Sequence, residues 1–224
     1  MTAKNTKGVT VCMSKGTAVP TKLTPTAIAK SATVGDNRAE VKFTPTTGYK
    51  AGDVIKIPAG GTGFAVIDGK TFTIGSVSAT GFTLNGTDWT VTPPGTLSST
   101  PTMDHYLDAD MVCLCLSDLK FNAEKGSTVS VATFCDPSAS IPSASTTAGT
   151  VDVGGFVDVS TMDYKEIVKA EEDGVERIFR IMLPGNGEIT FPAIVSTLGW
   201  QVPIDGAVAW EAQLALGSRP RHLY

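Results

Sequence analysis

Long apolar runs are missing from this 224-residue sequence. No stretch reaches the 18 or more apolar residues of a membrane-crossing helix, so none is expected. Residues 1–16 carry no apolar h-region and do not read as a secretory signal, so synthesis and use in a cytoplasm are expected. Basic clusters are missing as well. The net charge is −4, the isoelectric point is about 5.2, and the one basic concentration is Arg219, Arg221 and His222. A protein that grips a phosphate backbone needs a clustered basic surface, so tight nucleic-acid binding is excluded.

Chemistry-bearing residues are few. There are two histidines, His105 and His222, and neither lies in a nucleophile motif. G-x-S-x-G and H-E-x-x-H are absent, so the sequence offers no catalytic residue, and neither an enzyme nor a cofactor is expected. The four cysteines are Cys12, Cys113, Cys115 and Cys135. Alternation puts Cys113 and Cys115 on one face of an expected strand. Their spacing is not the C-x₂₋₄-C that opens a zinc site, so they read as small apolar core residues, and a reducing cytoplasm argues against disulfides. His105 stands near Asp104, Asp108 and Asp110, which could hold a hard cation. The glycine and terminal glutamate of an EF-hand are missing, so the stretch reads as a solvated acidic connector without a metal. Gly60, Gly61 and Gly63 around Thr62 lack the lysine of a phosphate loop and read as turns.

What is abundant is glycine, serine and threonine between short alternating apolar runs, the pattern of a mostly β protein. Strands are expected over 7–15, 111–122, 126–135, 151–159, 176–183, 187–196 and 206–216. The last alternates cleanly: Val208, Trp210, Ala212, Leu214 and Leu216 share one face, Glu211 and Gln213 the other. One helix is expected over 163–173, with Tyr164, Ile167 and Val168 docked on a sheet, a capping box from Ser160 to Asp163, and Gly174 as the C-cap. Residues 27–102 differ in character. Their short strands recur between glycines about every ten residues, flanked by Pro- and Thr-rich linkers, so this block reads as an inserted all-β module. The rest, 1–26 and 103–224, forms the main domain. Within the main domain, residues 136–150, from Asp136 through Ile141 to Thr150, are polar and of low complexity, and are expected to move in the isolated chain.

The C-terminal half carries a pattern: LPGNGEITFPA from Leu183, then GWQVPIDG from Gly199, then Ala209-Trp210 and an alternating strand ending at Leu216. This order of elements resembles the major tail tube proteins of long-tailed, non-contractile bacteriophages, over roughly 103–224 plus the first strand. The block with GYKAGDVIKIPAGG and GKTFTIGSVSATGFTLNGTDW looks like a small β module of phage structural proteins. The resemblance implies a tail-tube-type β-sandwich or barrel with one flanking helix and the insert outside the tube. It also implies six copies per ring, stacked rings, and assembly in a host bacterial cytoplasm into the tail of a virion. The implied partners are the chain itself, a tape-measure protein, a tail terminator and a distal tail protein. Viral DNA would pass through the lumen without tight binding, and no membrane is involved.

Elementary geometry agrees with a shared tube. A barrel of 16–18 strands just leaves a water channel, so a duplex needs more strands than one chain supplies; six copies giving about four each suffice. A wall that must not hold DNA should be acidic or neutral, and Glu188, Glu211 and Gln213 are the residues expected to face the lumen. The loop with Asp136, Ile141 and Thr150 is expected to order between rings. A carbohydrate-binding surface protein of a virion is the alternative, with Trp89 and Tyr49 stacking on sugars.

Overall fold

The computed structural model describes residues 9–43, 48–60, 62–91, 97, 101–122, 149–184, 187–203 and 206–216, and the backbone of 128–130 and 140–142. Among them are two seven-stranded antiparallel sheets, a two-stranded ribbon and one α-helix, so the chain is mostly β. Alternation decides the strands. In the last one, Trp210, Ala212 and Leu214 are buried while Glu211 and Gln213 are exposed, as a strand with one covered face requires.

The first sheet contains β1 (Thr10–Ser14), β9 (Met111–Leu114), β10 (Leu116–Asn122), β13 (Thr150–Phe156), β14 (Arg177–Met182), β15 (Glu188–Gln201) and β16 (Ala209–Leu216), in the order β10-β13-β16-β15-β14-β1-β9. Its two edge strands, β9 and β10, follow one another in the chain. The sheet must therefore curl until its edges meet one continuous segment, which makes it a half-barrel. The expected single strand over 111–122 is corrected here: it breaks at Cys115, where the chain leaves one edge for the other. Gly155 lets this corner form, because a Cβ there would meet the Cys115 carbonyl oxygen at 2.6 Å and the Trp210 ring at 2.9 Å. A register shift between Val195 and Thr197 is a bulge that adds to the bend.

One face of this sheet is the core. Met13, Phe179, Phe191, Val195, Val151 and Leu214 pack there with α1 (Met162–Asp173), and the Phe179 and Phe191 rings stack with centroids 5.8 Å apart. The helix buries Ile167 and Ala170; each large apolar side chain removed from water stabilises by about 2 kcal/mol. Tyr164 and Val168 are half-buried, and the Tyr164 hydroxyl accepts a hydrogen bond from Trp200 Nε1 at 2.8 Å. The capping box does not form. The N-cap is Thr161 without a side-chain cap bond, Ser160 instead donates to the Asp158 carboxylate, and Asp163 accepts the Cys115 backbone N–H at 2.9 Å. Gly174 ends the helix at φ 59°, the left-handed conformation that favours glycine.

The second sheet joins β2 (Thr21–Leu23), β3 (Ala27–Lys30), β4 (Ala39–Lys42), β5 (Val54–Lys56), β6 (Thr71–Val77), β7 (Gly81–Leu84) and β8 (Met103–Tyr106) in the order β2-β8-β5-β6-β7-β4-β3. Here too the edge strands are consecutive in sequence. Its pairing runs from Thr21 to Tyr106, so β2 and β8, which flank the stretch 27–102, share one sheet with its strands. The separate core holds Phe72, Phe82, Ile55, Ile74, Leu84 and Trp89.

Two expectations about reactive residues fail. Cys12 and Cys113 face each other across β1 and β9 and form a disulfide; Cys115 is free and exposed, and Cys135 lies outside the described residues. Compartment reasoning missed the bond because strand register, which the sequence does not display, puts the two thiols opposite. His105 is no part of a solvated connector either. It sits in β8, paired on both sides by β2 and β5, and is buried.

Candidate conduit and assembly surfaces

The outer face of β10, β13, β16 and β15 carries two lateral rows set by register. One reads Lys120, Asp152, Gln213, Thr197; the next reads Asp118, Gly154, Glu211, Gly199. Three carboxylates thus stand against one ammonium. Gly154 and Gly199 supply no side chain, and the rows line an open depression of about 550 Å³. Amides hold the acids in place. Gln201 Nε2 donates to Glu211 Oε1 at 2.8 Å, Gln213 Nε2 to Asp152 Oδ1 at 3.2 Å, and Asn122 Nδ2 to Asp152 Oδ2 at 2.6 Å. The two rows are mostly polar and carry net negative charge, the next pair on this face is Phe156 with Ala209, and no group of three metal-ligating residues occurs among the described residues.

Of the three residues expected on a lumen wall, the fold brings together Glu211 and Gln213. Glu188 shares their sheet face by parity, but about 35 Å of strand lies between it and the Glu211 row, and its surroundings differ. Thr73 Oγ1 of β6 donates to Glu188 Oε1 at 2.6 Å, and Arg180 Nε stands 3.8 Å away. The second sheet covers this part of the face. Arg180 completes the clasp by donating to the Gly52 carbonyl at 2.6 Å and to Asp108, while Lys56 pairs with Glu176. The contacts to the second sheet thus come from Arg180 of β14 and Glu188 of β15, whereas Glu211 and Gln213 of β16 bond to no residue of that sheet among the described residues.

Of the loop residues, Asp136 lies outside the described residues. Ile141 belongs to β12 (Ser140–Pro142), which pairs with β11 (Thr128–Ser130) opposite Val129, and Thr150 opens β13, opposite Asn122 and Ala215.

A polar chain that sequence reasoning missed runs through the second sheet. Thr21 Oγ1 is 2.9 Å from His105 Nδ1, and His105 Nε2 is 2.9 Å from Asp53 Oδ2. Asp53 also accepts the backbone N–H groups of Lys50 and Asp108 at 2.9 Å each, and the Tyr49 ring lies 4.4 Å from the imidazole. These groups are engaged with one another and pin β2, β5 and β8 together. Long-range pairing of β2 with β8 creates the cluster, and no local motif announces it. Nearby, burial first, then Asp104 and Glu176, push the Tyr106 phenol up to about 12. The Arg38 guanidinium forks onto Asp36 at 2.8 Å and holds that carboxyl down at about 2, against the opposing pull of burial.

At the end of the half-barrel where β13 stops, β16 starts and α1 begins, apolar side chains are exposed: Phe156, Val159, Met162, Trp200 and Val202.

Its likeness to solved structures is partial. No family model and no curated protein matches the chain. The chain is similar to one in the tail of an empty GTA particle with C6 symmetry, at a TM-score of 0.36 and 17% identity, over 48% of this chain and 79% of that one. It is also similar to one in the virion of a native gene transfer agent particle, at 0.39 and 16%, over 53% of this chain and 92% of that one. Likenesses at this level assign no role.

Proposed function

We propose that this chain is a structural subunit of a phage-type tail tube of the long, non-contractile kind, in which six copies form a ring and rings stack into a conduit for DNA. The observation that carries the reading is the open wall of Asp118, Asp152, Glu211 and Gln213 on a sheet whose other face packs the core. Such a wall binds no phosphate and repels it, so a strand slides past without being held. The order of C-terminal elements that resembles tail tube proteins supports the same reading.

In this arrangement Glu211 and Gln213 face the lumen, and Glu188 belongs to the clasp that seats the second sheet on the outside. The ribbon of β11 and β12 with the chain around it, 136–150 included, orders between rings. Tape-measure, terminator and distal tail proteins are the further partners, the chain resides in the virion tail after assembly in a host cytoplasm, and no catalysis is involved. The carbohydrate-binding alternative loses its basis. Trp89 is 1% exposed and packs edge-on against Phe64, and Tyr49 packs against Phe43, Phe82 and His105.

Electron microscopy of the purified protein at rising concentration tests the reading. Hollow tubes or six-fold rings are expected, and a monomer that persists at high concentration overturns it. In tubes, the triple variant Asp118→Lys, Asp152→Lys, Glu211→Lys should retain added DNA in a salt-dependent way, whereas the native wall should not.

A further inference from the structure

We infer that Cys115 is the entry point through which a small-molecule disulfide closes the buried Cys12–Cys113 bond, passing the oxidation along a row of three thiols. The step belongs to the single chain and is independent of any assembly. Burial grades the three residues. Cys12 is 0% exposed, Cys113 is half-buried, and Cys115 is free and exposed. Register shows what shuts Cys12 in. It stands between Cys113 of β9 and Arg180 of β14, on the same sheet face as both. The Arg180 guanidinium donates to the Gly52 carbonyl and to Asp108, so the second sheet is clasped to that face. An oxidant the size of a tripeptide disulfide has no approach to Cys12 in the folded chain, whereas a thiol of the chain itself does.

Chain geometry brings the exposed thiol within reach of the half-buried one. Two residues along an extended chain span about 6.6 Å, inside the roughly 4.4–6.8 Å between Cα atoms that a disulfide bridges. Cys115 is also not tied into the sheet. The strand breaks there, and its backbone N–H donates to Asp163 Oδ2 rather than to a ladder partner. β9 is an edge strand that, among the described residues, pairs with β1 alone. Cys12 therefore meets Cys113 across the ladder, and the other flank of Cys113 stays open to Cys115. Exchange needs this arrangement, because the attacking and the leaving sulfur stand on opposite sides of the sulfur attacked. The steps balance as thiol–disulfide exchange. The Cys115 thiolate attacks the small disulfide, and one small thiol leaves. The Cys113 thiolate attacks Cys115 Sγ, the Cys113–Cys115 bond forms, and the second small thiol leaves. The Cys12 thiolate then attacks Cys113 Sγ, the Cys12–Cys113 bond forms, and Cys115 leaves as a thiolate that takes up a proton. Cys12 and Cys113 together lose two electrons and two protons, the small disulfide becomes two thiols, and Cys115 ends as it began.

The test uses the full chain in a Cys135→Ser background, reduced and then freed of reductant. Glutathione disulfide is added, samples are quenched in acid and alkylated, and mass spectrometry follows each cysteine. A glutathione adduct on Cys115 should precede the Cys12–Cys113 bond. Cys115→Ser alters an exposed side chain and should leave the melting curve of the reduced protein unchanged, which checks folding. It should slow closure of the bond on the order of tenfold, since the oxidant must then attack a half-buried sulfur. Once closed, the bond should raise the melting temperature equally in both chains. Cys12→Ala removes the last step and should collect the Cys113–Cys115 disulfide. Closure in Cys115→Ser at the rate of the parent chain overturns the inference. So does a folded Cys12→Ala chain that holds glutathione on Cys115 and never joins it to Cys113. If Cys12→Ala does not fold, the comparison of rates decides by itself.

Discussion

Reduction of the Cys12–Cys113 disulfide should report how the two sheets unfold relative to one another. The bond joins residues 101 apart in sequence, and the whole second sheet, Thr21 to Tyr106, lies inside the loop it closes. If both sheets unfold together, the loop is the full chain between the cysteines, and the chain-entropy relation gives about 4.7 kcal/mol of stabilisation. If the second sheet stays folded while the half-barrel unfolds, its two ends remain held at paired β2 and β8. The free chain then shrinks to about 15 residues, the stretches on either side, and the same relation gives about 3 kcal/mol. Urea unfolding of oxidised and reduced protein measures the difference. In variants that keep a single tryptophan, Trp89, buried in the second core, and Trp210, buried in the first, report the two sheets separately. Coincident transitions should accompany the larger value, and separated ones the smaller. A reduced protein within about 0.5 kcal/mol of the oxidised one would refute the loop argument, since even the short loop exceeds that margin.

Arg180→Ala removes the donor to Gly52 and Asp108 and leaves Glu188 without its cation; a loss of about 2–3 kcal/mol is expected, and transitions of Trp89 and Trp210 that stay coincident at native stability would contradict the clasp. Asp36→Asn tests the fork with Arg38. The folded carboxyl is held at about 2 against 3.8, so its contribution is present above the ordinary carboxylate range and disappears as pH falls through 2. Discounted for solvent screening, the variant should lose about 1 kcal/mol at pH 7, and in urea melts the deficit should close between about pH 4 and 2. Gly155→Ala forces a methyl against the Cys115 carbonyl and the Trp210 ring; a cost of about 1–3 kcal/mol is expected, measurable as a lowered melting temperature.

The sequence made strands and faces readable wherever period two was clean. The alternation from Ala209 to Leu216 identified which side chains are buried and which are presented, and the periodicity around Ile167 with Gly174 after it located the helix. What it could not display was pairing between distant segments. The break at Cys115 looks like nothing in an alternating run, because the reason for it is that β1 and β13 claim its two halves from opposite edges. Glu188 and Glu211 have the same parity and the same exposure pattern in one dimension, and only the docking of β6 on β15 tells them apart. Thr21, His105 and Asp53 are likewise scattered over 85 positions, and strand order alone assembles them. Of the ribbon's two strands, Thr128–Ser130 falls within the strand expected over 126–135, whereas Ser140–Pro142 falls in the stretch that composition marked as polar and irregular, because a three-residue strand leaves almost no periodic trace.

The place of β16 in the strand order has a consequence for the growing chain. Among the described residues it is the latest strand in sequence, yet it lies in the middle of its sheet, between β13 and β15. Without it, the strand order would be split into β10–β13 and β15–β14–β1–β9. A chain that has not reached Ala209 lacks Trp210, Ala212 and Leu214 from the core and Glu211 and Gln213 from the outer face. On the proposed tube reading, a chain short of Ala209 has no finished wall to offer a neighbour, so completion of the chain would precede self-association.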